Sequence, residues 1–246
     1  MRYHSLVGDI AWVPSSTAAV RATTSPARHS ALVRVTHWIT TLCFFALLIS
    51  GLEILISHPR FYWGETGNIN MTPLFKIPIP SSRALVPTGY LYVLPDQNGW
   101  SRYLHFQAAW ILVLTGTLYI LYSLFTAHLQ NDLFPNKTDL SWRTFTRLPA
   151  SETSSYNVLQ RITYLFVILI LFPLVIWTGL AMSPAFVSAI PATVTVFGGQ
   201  QSARTIHFFV TLALLLFLLI HIVMIALAGF WSRTRAMITG RPQERI

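Results

Sequence analysis

The sequence predicts an all-α integral membrane protein, a bundle of four transmembrane helices, and three observations carry that prediction. The 246 residues are 53% hydrophobic and only 10% charged, whereas a soluble domain carries about a quarter charged residues. The apolar residues are clustered in four runs, at about 35–56, 104–126, 162–182 and 206–230, each near the ~20 residues that span a bilayer. Backbone groups in lipid must find their hydrogen bonds within the segment, so runs of this kind are helices.

Taken in order, residues 1–30 are rich in Ala, Ser and Thr without periodicity and read as a polar cytoplasmic tail, in which His4 and His29 have no specific role. The first run is too long for a cleavable signal, follows that polar tail and lacks a small-residue cleavage site. It holds Cys43, the single cysteine, which excludes an intrachain disulfide, a cysteine-based zinc site and covalent haem attachment through C-x-x-C-H. Its expected role is packing. The loop at 57–103 is long and carries Pro59, Pro73, Pro78, Pro80, Pro87 and Pro95 with many aromatics. Prolines lower the entropy of the free chain and aromatics favour interfaces, so a lid or docking surface is expected. A polar loop, Ala127–Gln160, separates the second and third runs, and a short one, Ser183–Ala203, precedes the fourth. Residues 31–232 thus form one four-helix domain, followed by a tail at 233–246. No repeat, nucleotide-binding glycine loop or soluble catalytic domain is present.

The net charge of +9 does not form one basic patch, which argues against a nucleic-acid partner. Arg2, Arg21, Arg28 and Arg34 lie at the N-terminal end, Lys137, Arg143, Arg147 and Arg161 around the second loop, and Arg233, Arg235, Arg241 and Arg245 in the C-terminal tail. The opposite side holds Arg60, Lys76, Arg83, Arg102 and Arg204. By the positive-inside rule both termini are cytoplasmic and the 57–103 loop is periplasmic.

Ionisable residues inside transmembrane segments are costly and mark function. His37, His105, His207 and His221 fall within or at the ends of the runs. His207 and His221, fourteen residues apart in the last helix, return to within about 40° of one face and are separated by about 21 Å along the axis. The up-down topology matches depths in pairs, His37 with His221 and His105 with His207. Two bis-histidine sites at two depths suit two noncovalent b-type haems, because axial histidine is a common way to hold haem iron and bundle cores are where such cofactors sit. Zinc competes poorly, since the pairs are too far apart for one tetrahedral site.

Arg34, Arg102 and Arg204 each precede a histidine by three residues, hence share its face one turn nearer water. A haem propionate there would accept a charge-assisted bond; the alternative is an anchor at the membrane boundary. Gly51 and Gly116 return near the ligand faces of their helices, leaving gaps where a flat macrocycle can approach backbone, or small contacts for helix packing. Gly179 reads as packing alone. His58 rivals His105 as an outer ligand. His128 is turned about 140° from His105 and is a surface residue or an aid to quinone protonation. Glu53, on the face away from His37, either snorkels to the surface or gates a proton.

The pattern of His37, His105 and the His207/His221 pair resembles the bacterial cytochrome b561-type membrane subunits, including those of nickel-iron hydrogenases, formate dehydrogenase and thiosulfate reductase. The resemblance covers residues 29–240. The segments His58-Pro59-Arg60-Phe61-Tyr62-Trp63-Gly64, Tyr156-Asn157-Val158-Leu159-Gln160, Thr178 to Pro184, Gly198 to His207 and Met237-Ile238-Thr239-Gly240 look like the branch accompanying sulfite-oxidase-type molybdopterin oxidoreductases. A glycine-flanking arginine of that branch is replaced here by Gln200 or Gln201. The resemblance implies the bacterial inner membrane, two haem b, a membrane quinone site near the cytoplasmic haem and a periplasmic molybdopterin oxidoreductase as partner. The expected function is therefore an electron-transfer subunit between quinone and that partner, with substrate chemistry left to the partner. A stand-alone superoxide:quinone oxidoreductase is the alternative, and a haem-free anchor or transporter a third.

Overall fold

The computed structural model describes residues 30–68, 70–79, 98–126, 134, 158–227 and 229–240. The N-terminal tail with His4 and His29, residues 80–97 of the first loop, nearly all of the second loop with His128, and residues 241–246 lie outside the described residues.

Four helices are long and apolar enough to cross a membrane, at Ala31–Ser57, Gly99–Phe125, Arg161–Ala181 and Gln200–Leu227. Helix α1 is Ala31–Ser57, opened by Ser30, whose hydroxyl accepts from the Val33 amide at 3.3 Å. Helix α2 is Asn98–Phe125. Helix α3 is built from Val158–Phe166, a π-helical stretch Val167–Leu171 and Phe172–Ala181. Two short helices follow, α4 at Pro184–Ala189 and α5 at Ala192–Thr195, then α6 at Gln200–Leu227 and α7 at Phe230–Thr239. Several ends extend past the hydropathy-based limits, because their polar first turns are helical yet invisible to a search for apolar runs.

The π-helical stretch has an identifiable cause. Pro173 cannot donate to the carbonyl four residues back and its ring crowds that carbonyl. The chain widens by one residue there, and the Phe172 amide reaches back to the Val167 carbonyl.

The backbones approach most closely within two hairpins, α1 on α2 and α3 on α6. Lipid offers little hydrophobic drive for helix association, so close fit and small residues hold such pairs together. Accordingly Ser50, Ser57, Ser101, Ala108 and Thr115 are buried in the first hairpin, and Thr178, Ala181, Ser202, Ala203 and Thr205 in the second. Cys43 is buried in the first, as its packing role requires. Large apolar side chains point the other way: Leu42 is 71% exposed, Leu114 64% and Leu219 60%. In water such a surface would drive aggregation, whereas acyl chains satisfy it.

Two straps close the bundle ends. At the end bearing the α1–α2 loop, strand β1 (Arg60–Phe61) pairs antiparallel with β2 (Phe75–Lys76), Arg60 facing Lys76 and Phe61 facing Phe75. Phe61 stacks on Phe75 at 4.6 Å and 9°, and both rings rest on Phe208 of α6. The first turns of α6 then fasten the backbone of 58–65. Arg204 donates to the carbonyls of His58 and Arg60, Thr205 Oγ1 donates to the Tyr62 carbonyl at 2.7 Å, and Ser202 Oγ accepts from the Gly64 amide at 2.7 Å. The Gln201 and Ser202 amides donate to the Gly64 carbonyl, and the Gln200 amide donates to Glu65 Oε2. These contacts satisfy the free amides of the helix start and place a carboxylate at its positive end. At the other end, Arg34 Nη1 donates to the Ile238 carbonyl at 2.8 Å and Trp38 Nε1 to the Met237 carbonyl at 3.3 Å. They cap α7, which ends at Gly240 in the left-handed region.

Candidate functional site

The seam between the hairpins carries the histidines in two facing pairs. His105 of α2 faces His207 of α6 with ring centres 6.3 Å apart, and His37 of α1 faces His221 of α6 at 6.4 Å. His58 is not part of either pair; its carbonyl belongs to the strap. Along α6 the two pairs are about 21 Å apart. Among the described residues no three His, Cys, Asp or Glu side chains cluster as a metal site, so the imidazoles occur as pairs.

At the His105/His207 pair, Ser50 Oγ lies 3.0 Å from His105 Nδ1 and Thr178 Oγ1 lies 3.0 Å from His207 Nδ1. The Ser50 hydroxyl already donates to the Ala46 carbonyl at 2.6 Å, and that of Thr178 to the Leu174 carbonyl at 2.8 Å. Each hydroxyl has one proton to give, so it accepts from an Nδ1–H, and Nε2 keeps its lone pair. Next to each hydroxyl is a glycine on which the ring lies. A Cβ on Gly51 would stand 3.5 Å from His105 Cε1, and one on Gly179 would stand 3.6 Å from His207 Cε1. The gap expected at Gly51 is thus filled by an imidazole. A Cβ on Gly116 would meet nothing within 4 Å, so this glycine borders open space.

The second pair is framed by aromatics. His221 stacks on Phe217 at 5.7 Å and meets Tyr164 edge-on at 6.2 Å, while Trp38 lies edge-on to His37 at 5.4 Å. Between the two depths is an apolar plug of Val167, Leu171, Val210 and Leu214, with Phe44 and Phe217 packed against it.

The arginines stand at the ends of the bundle. Arg34 caps α7, and its Nε is buried without a hydrogen-bond partner among the described residues. Arg204 binds the strap carbonyls and covers the Phe61 ring at 4.8 Å. Arg102 is exposed in the first turns of α2. Glu53 is buried, at 8% exposure, on the α1 face that also buries Ser50 and Ser57; it does not reach the surface by snorkelling.

The pairs fit haem. An imidazole nitrogen binds a transition metal at about 2.0 Å, so two imidazoles on opposite sides of one iron hold their ring centres roughly 6 Å apart, and both pairs have that spacing. At the first pair the tautomer fixed by the hydroxyls is the one that leaves Nε2 free for iron.

Fold and site together define a class: a four-helix membrane protein with paired imidazoles stacked at two depths. The profile of the prokaryotic cytochrome b561 family matches residues 28–240, and the chain belongs to that family. A protein of Azospira oryzae described as a putative protein-methionine-sulfoxide reductase subunit YedZ1 is 29% identical over 209 residues, covering 81% of this chain and 90% of the relative. The chain is a multi-pass membrane protein of electron transport, of a family that uses haem b.

Sequence reasoning missed Ser50, Thr178 and the role of Gly179. Their signal is the dipeptide Ser50-Gly51 in one helix and Thr178-Gly179 in another, a hydroxyl beside a glycine within an otherwise apolar run. A size series at Gly51 tests the cradle. Alanine there meets the ring at ordinary contact distance, so Gly51→Ala is expected to keep the full absorbance of the Soret band. Gly51→Leu forces the imidazole aside and should lose about half of that absorbance.

Proposed function

We propose that this chain is a diheme b-type cytochrome subunit that moves electrons across the bilayer between membrane quinone and a periplasmic redox partner. The observation that carries the reading is the pair of facing histidine couples at two depths of one bundle. His105 with His207 and His37 with His221 would hold the two haems, which would supply one-electron redox chemistry at each depth. Arg34, with its unpartnered Nε, and Arg102 neutralise propionates, while Arg204 adds its charge beside the strap. Gly116 leaves room for the macrocycle. Phe44, Phe217 and the aliphatic plug form an apolar layer between the two depths.

The excess of Lys and Arg on the side of the termini supports a cytoplasmic location for both ends in a bacterial inner membrane. The strap face is then periplasmic, and it carries the exposed Trp63, Met71 and Leu74, a surface suited to a protein partner. The relative's description as a reductase subunit supports a partner oxidoreductase, for which a molybdopterin enzyme is our choice. Quinone reacts at the cytoplasmic depth, near His37 and His221.

Proteoliposomes containing the purified chain and trapped ferricyanide test this reading. A quinol analogue added outside is expected to bleach the trapped ferricyanide, and His221→Ala vesicles should bleach more than tenfold more slowly. Equal bleaching by protein-free vesicles would contradict transmembrane transfer.

A further inference from the structure

Each hairpin of the bundle presents the same device to the other helix of its own pair. Residue Ser50 or Thr178, one turn after the carbonyl it binds, offers a hydroxyl oxygen at 3.0 Å to a histidine Nδ1. The following glycine, Gly51 or Gly179, lets the ring settle on the helix backbone. The two devices converge on the single His105/His207 couple. Ser50 and Thr178 are both fully buried, so water does not compete for these bonds.

We propose that Ser50 and Thr178 are positioning residues that fix the tautomer of both ligands of the haem at this depth and hold its reduction potential down. The inference rests on the haem reading above. A chain from helix carbonyl through hydroxyl to Nδ1–H polarises the imidazole, because hydrogen bonds in a low-dielectric interior reinforce one another. Polarisation makes Nε2 a stronger donor, as second-shell acceptors do for ligating histidines generally. A stronger donor favours the ferric over the ferrous iron, which lowers the potential. Substitution of the side chains leaves the helix backbone in place, so it reads the hydroxyls alone.

The test uses the detergent-purified holoprotein and a spectroelectrochemical titration that resolves each haem. Three variants suffice: Ser50→Ala, Thr178→Val, which preserves volume without the hydroxyl's donor and acceptor, and Thr178→Ser, which restores them. In Ser50→Ala and Thr178→Val one haem is expected to rise in potential, with about a tenfold change in its reduced-to-oxidised ratio at fixed ambient potential, ~59 mV for one electron. The second haem keeps its value, and Thr178→Ser behaves as wild type. Loss of that one haem in the two hydroxyl-less proteins, with retention in Thr178→Ser, also supports positioning. Unchanged potentials in variants that keep both haems would overturn the inference while leaving the electron-transfer reading intact. So would a Thr178→Ser protein as perturbed as Thr178→Val. Wild-type protein without haem would instead remove the reading on which the inference rests.

Discussion

Alanine in place of His221 is expected to leave the purified protein with one haem where wild type has two, and alanine in place of His105 is expected to do the same at the other depth. The two histidine couples have only α6 in common, and the apolar plug of Val167, Leu171, Val210 and Leu214 lies between them. Removal of one imidazole leaves a cavity and a single axial ligand, while the partner pair keeps its ring spacing. The haemochrome band should fall by about half in each single variant and vanish in the double variant. Visible spectra of equal amounts of folded protein measure this directly. Retention of two haems in His105→Ala would reassign the ligand, with His58 the nearest alternative in sequence to the end of α1.

Gly199→Ala is expected to cost the protein the strap. Gly199 has φ +127°, a conformation that side-chain-bearing residues rarely adopt, and a Cβ there would stand 2.4 Å from the carbonyl carbon of Gly64. Backbone strain of this kind costs about 1–3 kcal/mol, and here the neighbour that must yield is backbone. That neighbour is fastened by Gln201, Ser202, Arg204 and Thr205, so displacement breaks several bonds together. We expect a fall of several degrees in the thermal midpoint in detergent and faster proteolysis between Phe61 and Lys76. An unchanged midpoint would show that the strap adds little to stability.

Much of the architecture was legible because lipid imposes a simple rule on sequence. Four apolar runs had to become helices, and alternating direction then set the histidine depths; the pairs His37/His221 and His105/His207 follow from that arithmetic and are the pairs found. What spacing along one helix cannot show is contact with another helix. Gly51 lies fourteen residues from His37, yet it meets His105. Gly179 has no histidine in its own helix and meets His207. The Ser50 and Thr178 hydroxyls were hidden for the same reason. Arg34 and Arg204 lie at opposite ends of the bundle, and spacing did not foretell that they would donate to carbonyls of α7 and the strap. The segments 58–64 and 198–207, which stood out separately in the sequence, pack on each other as the two halves of one closure.

Each facing histidine couple is expected to hold one haem, and haem b per polypeptide in the purified wild-type chain, by pyridine haemochrome against amino-acid analysis, measures this. Two haems per chain are expected. A folded protein carrying none would contradict this.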